Sequence, residues 1–172
     1  AIKNENQDGL TVKDIKDSLA ELEKFKNDNE YGLGEFFKLQ NHAFYNEGKF
    51  IKVDERKEVK KPVYITYSTN KENSFLVDYN LIEVEDFAKI TVIITYNSED
   101  DAAAYHNGII RIFAGQNSEV KIIKVQTLNT YSSNFESSKI ETRGQGKVNY
   151  YSVELGGKVN GISHTSYLLE DS

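Results

Sequence analysis

Asn117-Ser-Glu-Val-Lys-Ile-Ile-Lys-Val-Gln126 is the stretch on which the fold turns, because it has two counterparts in the same chain. Asp86-Phe-Ala-Lys-Ile-Thr-Val-Ile-Ile-Thr95 precedes it, Gln145-Gly-Lys-Val-Asn-Tyr-Tyr-Ser-Val-Glu154 follows it, and the three align without a gap. Their anchors, Ile90, Val120 and Val148, lie 30 and 28 residues apart. A fixed period of this length marks a solenoid, whose units cannot bury an apolar face alone and must stack. Val, Ile and Tyr dominate the segments, as a pleated, buried surface prefers.

A second short strand accompanies the first. Leu81-Ile-Glu-Val84, Ile109-Ile-Arg-Ile112 and Lys139-Ile-Glu-Thr142 align on Ile82, Ile110 and Ile140. The polar segments Tyr96-Asn-Ser-Glu-Asp-Asp101 and Asn129-Thr-Tyr-Ser-Ser-Asn134 read as turns between strands. Asp8-Gly9, Asn107-Gly108 and Asn160-Gly161 do not sit between two alternating runs, so hairpins are not expected and progressive coiling fits better. The expected fold is mainly β: a right-handed parallel β-helix, or β-solenoid, with an N-terminal helical cap. A single proline, Pro62, suits strands that donate hydrogen bonds along their whole length.

The long strand breaks its own alternation. Val120, Ile122, Ile123 and Val125 repeat as Val148, Tyr150, Tyr151 and Val153. Adjacent apolar residues on a strand mean a change of phase, so a bend or bulge is expected at Ile122-Ile123 and Tyr150-Tyr151. The alternative is a strand buried on both faces of a flat sheet.

The first quarter has a different period. Residues 1–47 are expected as a helical segment and 48–172 as the β-helix core. Leu10, Val12, Ile15, Leu19, Leu22 and Phe25 fall at helical spacing, with Thr11 or Asp8 as N-cap. A break at residues 27–32 follows, then a second amphipathic helix from Glu35 through Phe44. Phe50-Ile-Lys-Val53 and Pro62-Val-Tyr-Ile-Thr-Tyr67 read as the first strands, around a mixed-charge turn at 54–61.

Composition sets the outer bounds. A chain of 172 residues is one domain, or one with a small appendage, long enough to bury a core. Its 21 basic and 27 acidic residues give a net charge of −6, so no nucleic-acid footprint is expected. No apolar run approaches the ~20 residues of a transmembrane helix, and the polar start has no signal-peptide pattern. With no cysteine there is no disulfide, and a cytoplasmic location is expected. The lack of any methionine, and an end at Leu168-Leu-Glu-Asp-Ser172 in mid-coil, predict a fragment truncated at its C-terminal end.

The search for chemistry yields no catalytic, cofactor-binding or metal-binding residue. The three histidines are His42 on the second helix, His106 in a turn just before a strand, and His164 near the end. None has a His-x-His or His-x₃-His spacing, and each is read as structural. Glu99-Asp100-Asp101 occurs in one copy only and does not stack. Glu83 shares an alignment position with Arg111 and Glu141, which predicts a cross-coil charge ladder. No glycine pair adjoins a helix as a phosphate loop would, and no Gly-x-Ser-x-Gly elbow is present.

Several ordered segments resemble one family. Phe36-Phe-Lys-Leu-Gln-Asn-His-Ala-Phe-Tyr-Asn-Glu-Gly-Lys-Phe-Ile-Lys-Val53 and Val59-Lys-Lys-Pro-Val-Tyr-Ile65 come first. His106-Asn-Gly-Ile-Ile-Arg-Ile112, the cassette at 117–126 and Ser152-Val-Glu-Leu-Gly-Gly157 follow. Together they resemble the core of the SufB/SufD proteins of iron–sulfur cluster assembly, closer to SufD. The resemblance implies a scaffold without enzymatic activity that pairs with SufB-like protein and the SufC-like ABC-type ATPase. It implies no cofactor held by this segment, the cluster being assembled by the full complex. The cysteine, glutamate and histidine implicated in assembly lie further toward the family's C-terminus, so none is carried over. Self-association through an open coil is a further expectation. The other readings are an extracellular carbohydrate-active β-helix and a purely structural β-solenoid.

Overall fold

The computed structural model of the chain describes residues 1–24, 30–70, 74–99 and 101–169. Eleven strands occur among them: β1 (Ile2–Lys3), β2 (Leu10–Asp14), β3 (Lys49–Val53), β4 (Val63–Thr69), β5 (Ser74–Val84), β6 (Lys89–Ser98), β7 (Ala104–Ala114), β8 (Glu119–Thr127), β9 (Ser133–Arg143), β10 (Lys147–Glu154) and β11 (Val159–Leu169). Two helices, α1 (Leu19–Glu23) and α2 (Glu35–Phe44), lie in the N-terminal part. One sheet runs β1-β4-β6-β8-β10 and the other β11-β9-β7-β5-β3-β2. From β3 onward the pairings in both sheets are parallel, so the chain winds between the sheets as a parallel β-helix of about four turns.

The repeat that announced the stack is its register. Ile90 lies beside Val120 and Val120 beside Val148. In the second sheet the true stack is Ile82, Ile112 and Ile140, not Ile82, Ile110 and Ile140. A two-residue slip in the middle copy preserves every side chain's face, so apolar pattern alone could not detect it. The same slip corrects the charge ladder: Phe113 lies between Glu83 and Glu141, while Arg111 stacks between Leu81 and Lys139.

The expected bend is absent. β8 pairs continuously with β6 and β10, and its residues alternate without a break. Val120, Ile122, Lys124 and Gln126 are buried, whereas Ile123 and Val125 sit half-buried on the opposite face. The two adjacent apolar residues arise because the inward row becomes polar at Lys124. The phase of the strand never changes.

Each coil turns from one sheet to the other through a residue with left-handed backbone: Arg56 (φ 58°), Phe87 (φ 59°), Asn117 (φ 52°) and Gly144 (φ 55°). Only one of the four is glycine, although this region costs an L-residue roughly 1–2 kcal/mol. Hydrogen bonds between coils hold the corners there, with Arg56 N–H donating to Asp86 O and Phe87 N–H to Gln116 O, at 2.9 and 2.8 Å. The Arg56 guanidinium also lies 5.2 Å over the Phe87 ring. These corners displace the expected strand limits: residues 86–88 belong to a turn, and β6 runs on to Ser98 through part of the predicted turn at 96–101.

The N-terminal part departs most from expectation. Leu10 and Val12, read as the start of a helix, lie in β2, antiparallel to β3. Val12 continues the three- and four-residue spacing of Ile15, Leu19 and Leu22, but its alternation with Leu10 is a strand period, and pairing with the edge of β3 selects the strand. Ile15–Asp17 forms a 3-10 turn, capped by Asp14 Oδ1 accepting from Lys16 N–H, and α1 is a short helix. Phe25 and residues 27–29 of the predicted break lie outside the described residues. At the other edge β1 pairs antiparallel with β4. The first coil is therefore covered along both sheets by antiparallel strands.

The second helix forms where expected and lies along the flank of the β-helix. Asn41, wholly buried, donates to the carbonyls of Asp78 in β5 and Asn107 in β7, at 2.8 and 2.9 Å. Asn107 answers by donating to Phe37 O, and Phe37 stacks on Phe135 of β9 at 4.5 Å. The outward residues Phe36, Leu39 and Phe44 are 60% or more exposed. The helix thus buries polar residues and exposes apolar ones. With helix and loop covering it, the second sheet is buried on both faces along the middle of β5, β7 and β9. One apolar cluster fills the space between the sheets, and a smaller one built on Ile15, Tyr31, Phe50, Tyr79, Leu81 and Ile109 lies outside. Each fully buried Ile or Val contributes about 1.5–3 kcal/mol.

Candidate functional site

Inward-facing residues change character along the stack. In the first sheet the inward rows run Ile65, Ile94, Lys124, Ser152 and Tyr67, Tyr96, Gln126, Glu154. In the second they run Leu76, His106, Asn134, Asn160 and Asn80, Ile110, Ser138, His164. Apolar coils give way to polar ones toward β10 and β11, and the polar residues form a connected interior network.

His106 is its centre. It is the third residue of β7, fully buried, and not in a turn as its sequence neighbours suggested. The Asn-Gly pair that mimics a turn has another use here. A Cβ on Gly108 would stand 2.8 Å from His106 Nε2 and 3.1 Å from Asp78 Oδ1, so only glycine leaves room for that contact. His106 Nε2 lies 2.6 Å from Asp78 Oδ1 and Nδ1 lies 2.5 Å from Asn134 Oδ1. Its ring packs 4.3 Å from that of Tyr96, whose hydroxyl donates to Asp78 Oδ2 at 2.8 Å. Burial alone pushes the imidazole pKa down. The Asp78 charge and the hydrogen bonds to Asp78 and Asn134 outweigh it and hold the pKa above its ordinary value. Burial next to Asp78 pushes the Tyr96 hydroxyl well up.

One coil further on lies a wholly buried lysine. Lys124 Nζ reaches Glu136 Oε1 at 2.8 Å and Glu154 Oε1 at 2.6 Å. Tyr150 donates to the same Glu136 oxygen at 3.2 Å, while Glu136 Oε2 has no hydrogen-bond partner among the described residues. Asn134 links the two groups by donating to Glu154 Oε2 at 3.3 Å and to Asn160 Oδ1 at 3.2 Å.

The other histidines stand apart. His42, half-buried on α2, meets Tyr79 edge-on at 5.7 Å, and its pKa is lowered by burial and by the charges of Arg111 and Lys38. His164 on β11 lies 2.6 Å from Ser138 Oγ and 4.9 Å from the Tyr150 ring. The structure brings no two histidines into one site.

The acidic neighbours line an outer groove of about 470 Å³ with Glu83, Glu85, Asp86, Glu141, Phe113 and Leu169 on its walls. Its carboxylates are matched by cations: Glu85 by Lys52 at 2.8 Å, Asp86 by Arg143 at 3.0 Å, and Glu141 by Arg111 at 3.1 Å and Lys139 at 3.2 Å. The hydrogen bond from Lys52 lowers the Glu85 pKa, and those from Gln116 and Arg143 lower that of Asp86. A general acid needs the opposite shift. Glu99 lies at the far end of β6, its N–H bonded to Thr69 O, and Asp100 falls outside the described residues. Among the described residues no group of three or more His, Asp or Glu is placed to hold a metal ion. Nor is any helix there long and apolar enough to cross a membrane.

A stack of parallel coils whose interior turns polar toward β10 and β11 defines a parallel β-helix. Residues 67–172 match the family model described as SUF system FeS cluster assembly, SufBD core domain, and the chain belongs to that family. Membership gives it a role in SUF iron–sulfur cluster assembly. The match opens at Tyr67, the first member of the interior polar row, and so covers the whole network. No curated protein matches the chain.

Proposed function

We propose that the chain is a SufD-like scaffold component of the SUF machinery, acting by pairing with a SufB-like protein and a SufC-like ABC-type ATPase. The observation that carries this reading is the placing of its apolar surface. Phe36, Leu39 and Phe44 stand outward on α2, and Leu155 and Leu168 stand outward at the last coil, 71% and 86% exposed. The exposed apolar residues of α2 form a pairing surface, for a partner or a second copy. The sequence has no cysteine, so the chain supplies none of the thiolates that ordinarily hold a cluster. The cluster is cargo of the assembled complex in this reading, and the chain is not itself an enzyme.

Co-expression with the SufB-like and SufC-like proteins of the same source tests the proposal. Joint elution of the three, retained in at least one nucleotide state of the ATPase, is the expected result. Separate elution in every nucleotide state would overturn it.

A further inference from the structure

The hydrogen bonds around His106 can be oriented from fixed backbone groups at both ends. At one end the backbone N–H of Lys49 donates to Asn80 Oδ1, which also accepts from Tyr67 at 2.8 Å. Asn80 therefore turns its Nδ2 to Asp78 Oδ2, at 2.6 Å, and Tyr96 donates to the same oxygen. At the other end Asn160 Nδ2 donates to the carbonyl of Gly156 at 2.8 Å, so its Oδ1 faces inward and accepts from Asn134 Nδ2. Gln126, donating to Asn160 Oδ1 at 2.7 Å, fixes the same orientation. Asn134 must then present Oδ1 to His106 Nδ1.

Both ring nitrogens consequently face acceptors, a side-chain carbonyl on one side and a carboxylate on the other. A neutral imidazole carries one N–H and one lone pair. With Asp78 ionised, it would set a lone pair against an oxygen at 2.5 or 2.6 Å inside a site that holds no compensating donor among the groups described.

We propose that His106 and Asp78 form a proton-locked clasp between successive coils, closed while the imidazole carries both protons and opened when one is removed. The clasp ties β5 to β7 through Asp78 and β7 to β9 through Asn134, across a glycine that leaves room for it. The charged and titratable groups packed around it are Asp78 of β5, Tyr67 of β4, Tyr96 of β6, Lys124 of β8, Glu136 of β9 and Glu154 of β10. The charges of Asp78 and Glu136 favour the imidazolium. The raised His106 pKa agrees in direction. A group whose folded pKa is raised contributes fully below its unfolded value, about 6.5, and loses that contribution as pH rises through the folded value. The clasp is a device that opens on the alkaline side.

Nitrogen-15 NMR of the imidazole rings in the intact protein tests the clasp. At neutral pH both His106 nitrogens are expected to be protonated, and a single unprotonated ring nitrogen, whether Nδ1 or Nε2, overturns the proposal. Thermal melts give a second readout. The melting temperature should fall as pH rises through the folded pKa, by about 3 °C for each unit that this pKa exceeds the ordinary value. His106→Gln should lack that fall; an equal fall in the variant overturns the proposal. If the variant does not fold, the ring-nitrogen measurement on the native protein decides alone.

Discussion

Lys124 of β8 and Glu136 of β9 meet inside the β-helix, Nζ to Oε1 at 2.8 Å, with neither side chain exposed to solvent. The two strands belong to different sheets, so the pair spans the interior. Lys124 takes the position that the neighbouring coil gives to Ile94 in the same row.

Removing the cation should be costly. Lys124→Met leaves Glu136 and Glu154 without the charge that both now share, and breaking such a buried pair costs about 3–5 kcal/mol. Urea unfolding of the variant should show a loss of that size. Lys124→Met combined with Glu136→Gln and Glu154→Gln should recover most of it, since no buried charge is then left unpaired.

Strict alternation in β8 separates two neighbouring isoleucines. Ile122→Ala opens a cavity between the sheets and should cost about 2–4 kcal/mol. Ile123→Thr acts on the half-buried outer face and should cost less than about 1 kcal/mol. Equal losses in denaturant unfolding would restore the bend that the structure excludes.

Asn41 anchors α2 to the flank of the second sheet through its two buried hydrogen bonds. Asn41→Ala strips partners from two backbone carbonyls and should cost about 2 kcal/mol. Hydrogen exchange should show faster opening of α2, with the amides of β7 and β9 protected as before. Unchanged protection of α2 would remove Asn41 as its anchor.

His42 has a pH dependence opposite in sign to that of His106. Burial, with Arg111 and Lys38 nearby, holds its folded pKa below the ordinary value. Its contribution to stability is therefore present above the unfolded pKa of about 6.5 and is lost as pH falls through that value toward the folded one. An NMR titration should show the His42 ring titrating below His106. His42→Gln should flatten the acid limb of the stability profile and leave the alkaline limb unchanged.

Much of the fold could be read directly from the chain because stacking makes sequence period and structural register the same quantity. Ile90, Val120 and Val148 align in the chain and touch in the structure. The second strand was legible only to within a two-residue slip, which is silent in a pattern of alternating faces. Leu10 and Val12 lie in a strand although Val12 continues the helical spacing of Ile15, Leu19 and Leu22, because the edge of β3 pairs with the segment. The interior network was harder still. His106 beside Asn107-Gly108 has the composition of a turn, and nothing local says that the glycine exists to let an imidazole reach Asp78. Lys124 disguised an unbroken strand as a bent one, because a lysine normally marks the solvent side.

By itself, then, the sequence determined the repeat, the two-strand coil, the second helix and a SUF family resemblance. These depend on apolar period and local order, which are properties of neighbours in the chain. Only the tertiary structure decided which way the polar residues of each coil face. A lysine, three carboxylates and a histidine become interior residues when partners 12 to 30 residues away neutralise and hydrogen-bond them. The left-handed corners at Arg56, Phe87 and Asn117 have the same origin. Contacts between coils offset a backbone cost that no single segment would bear alone.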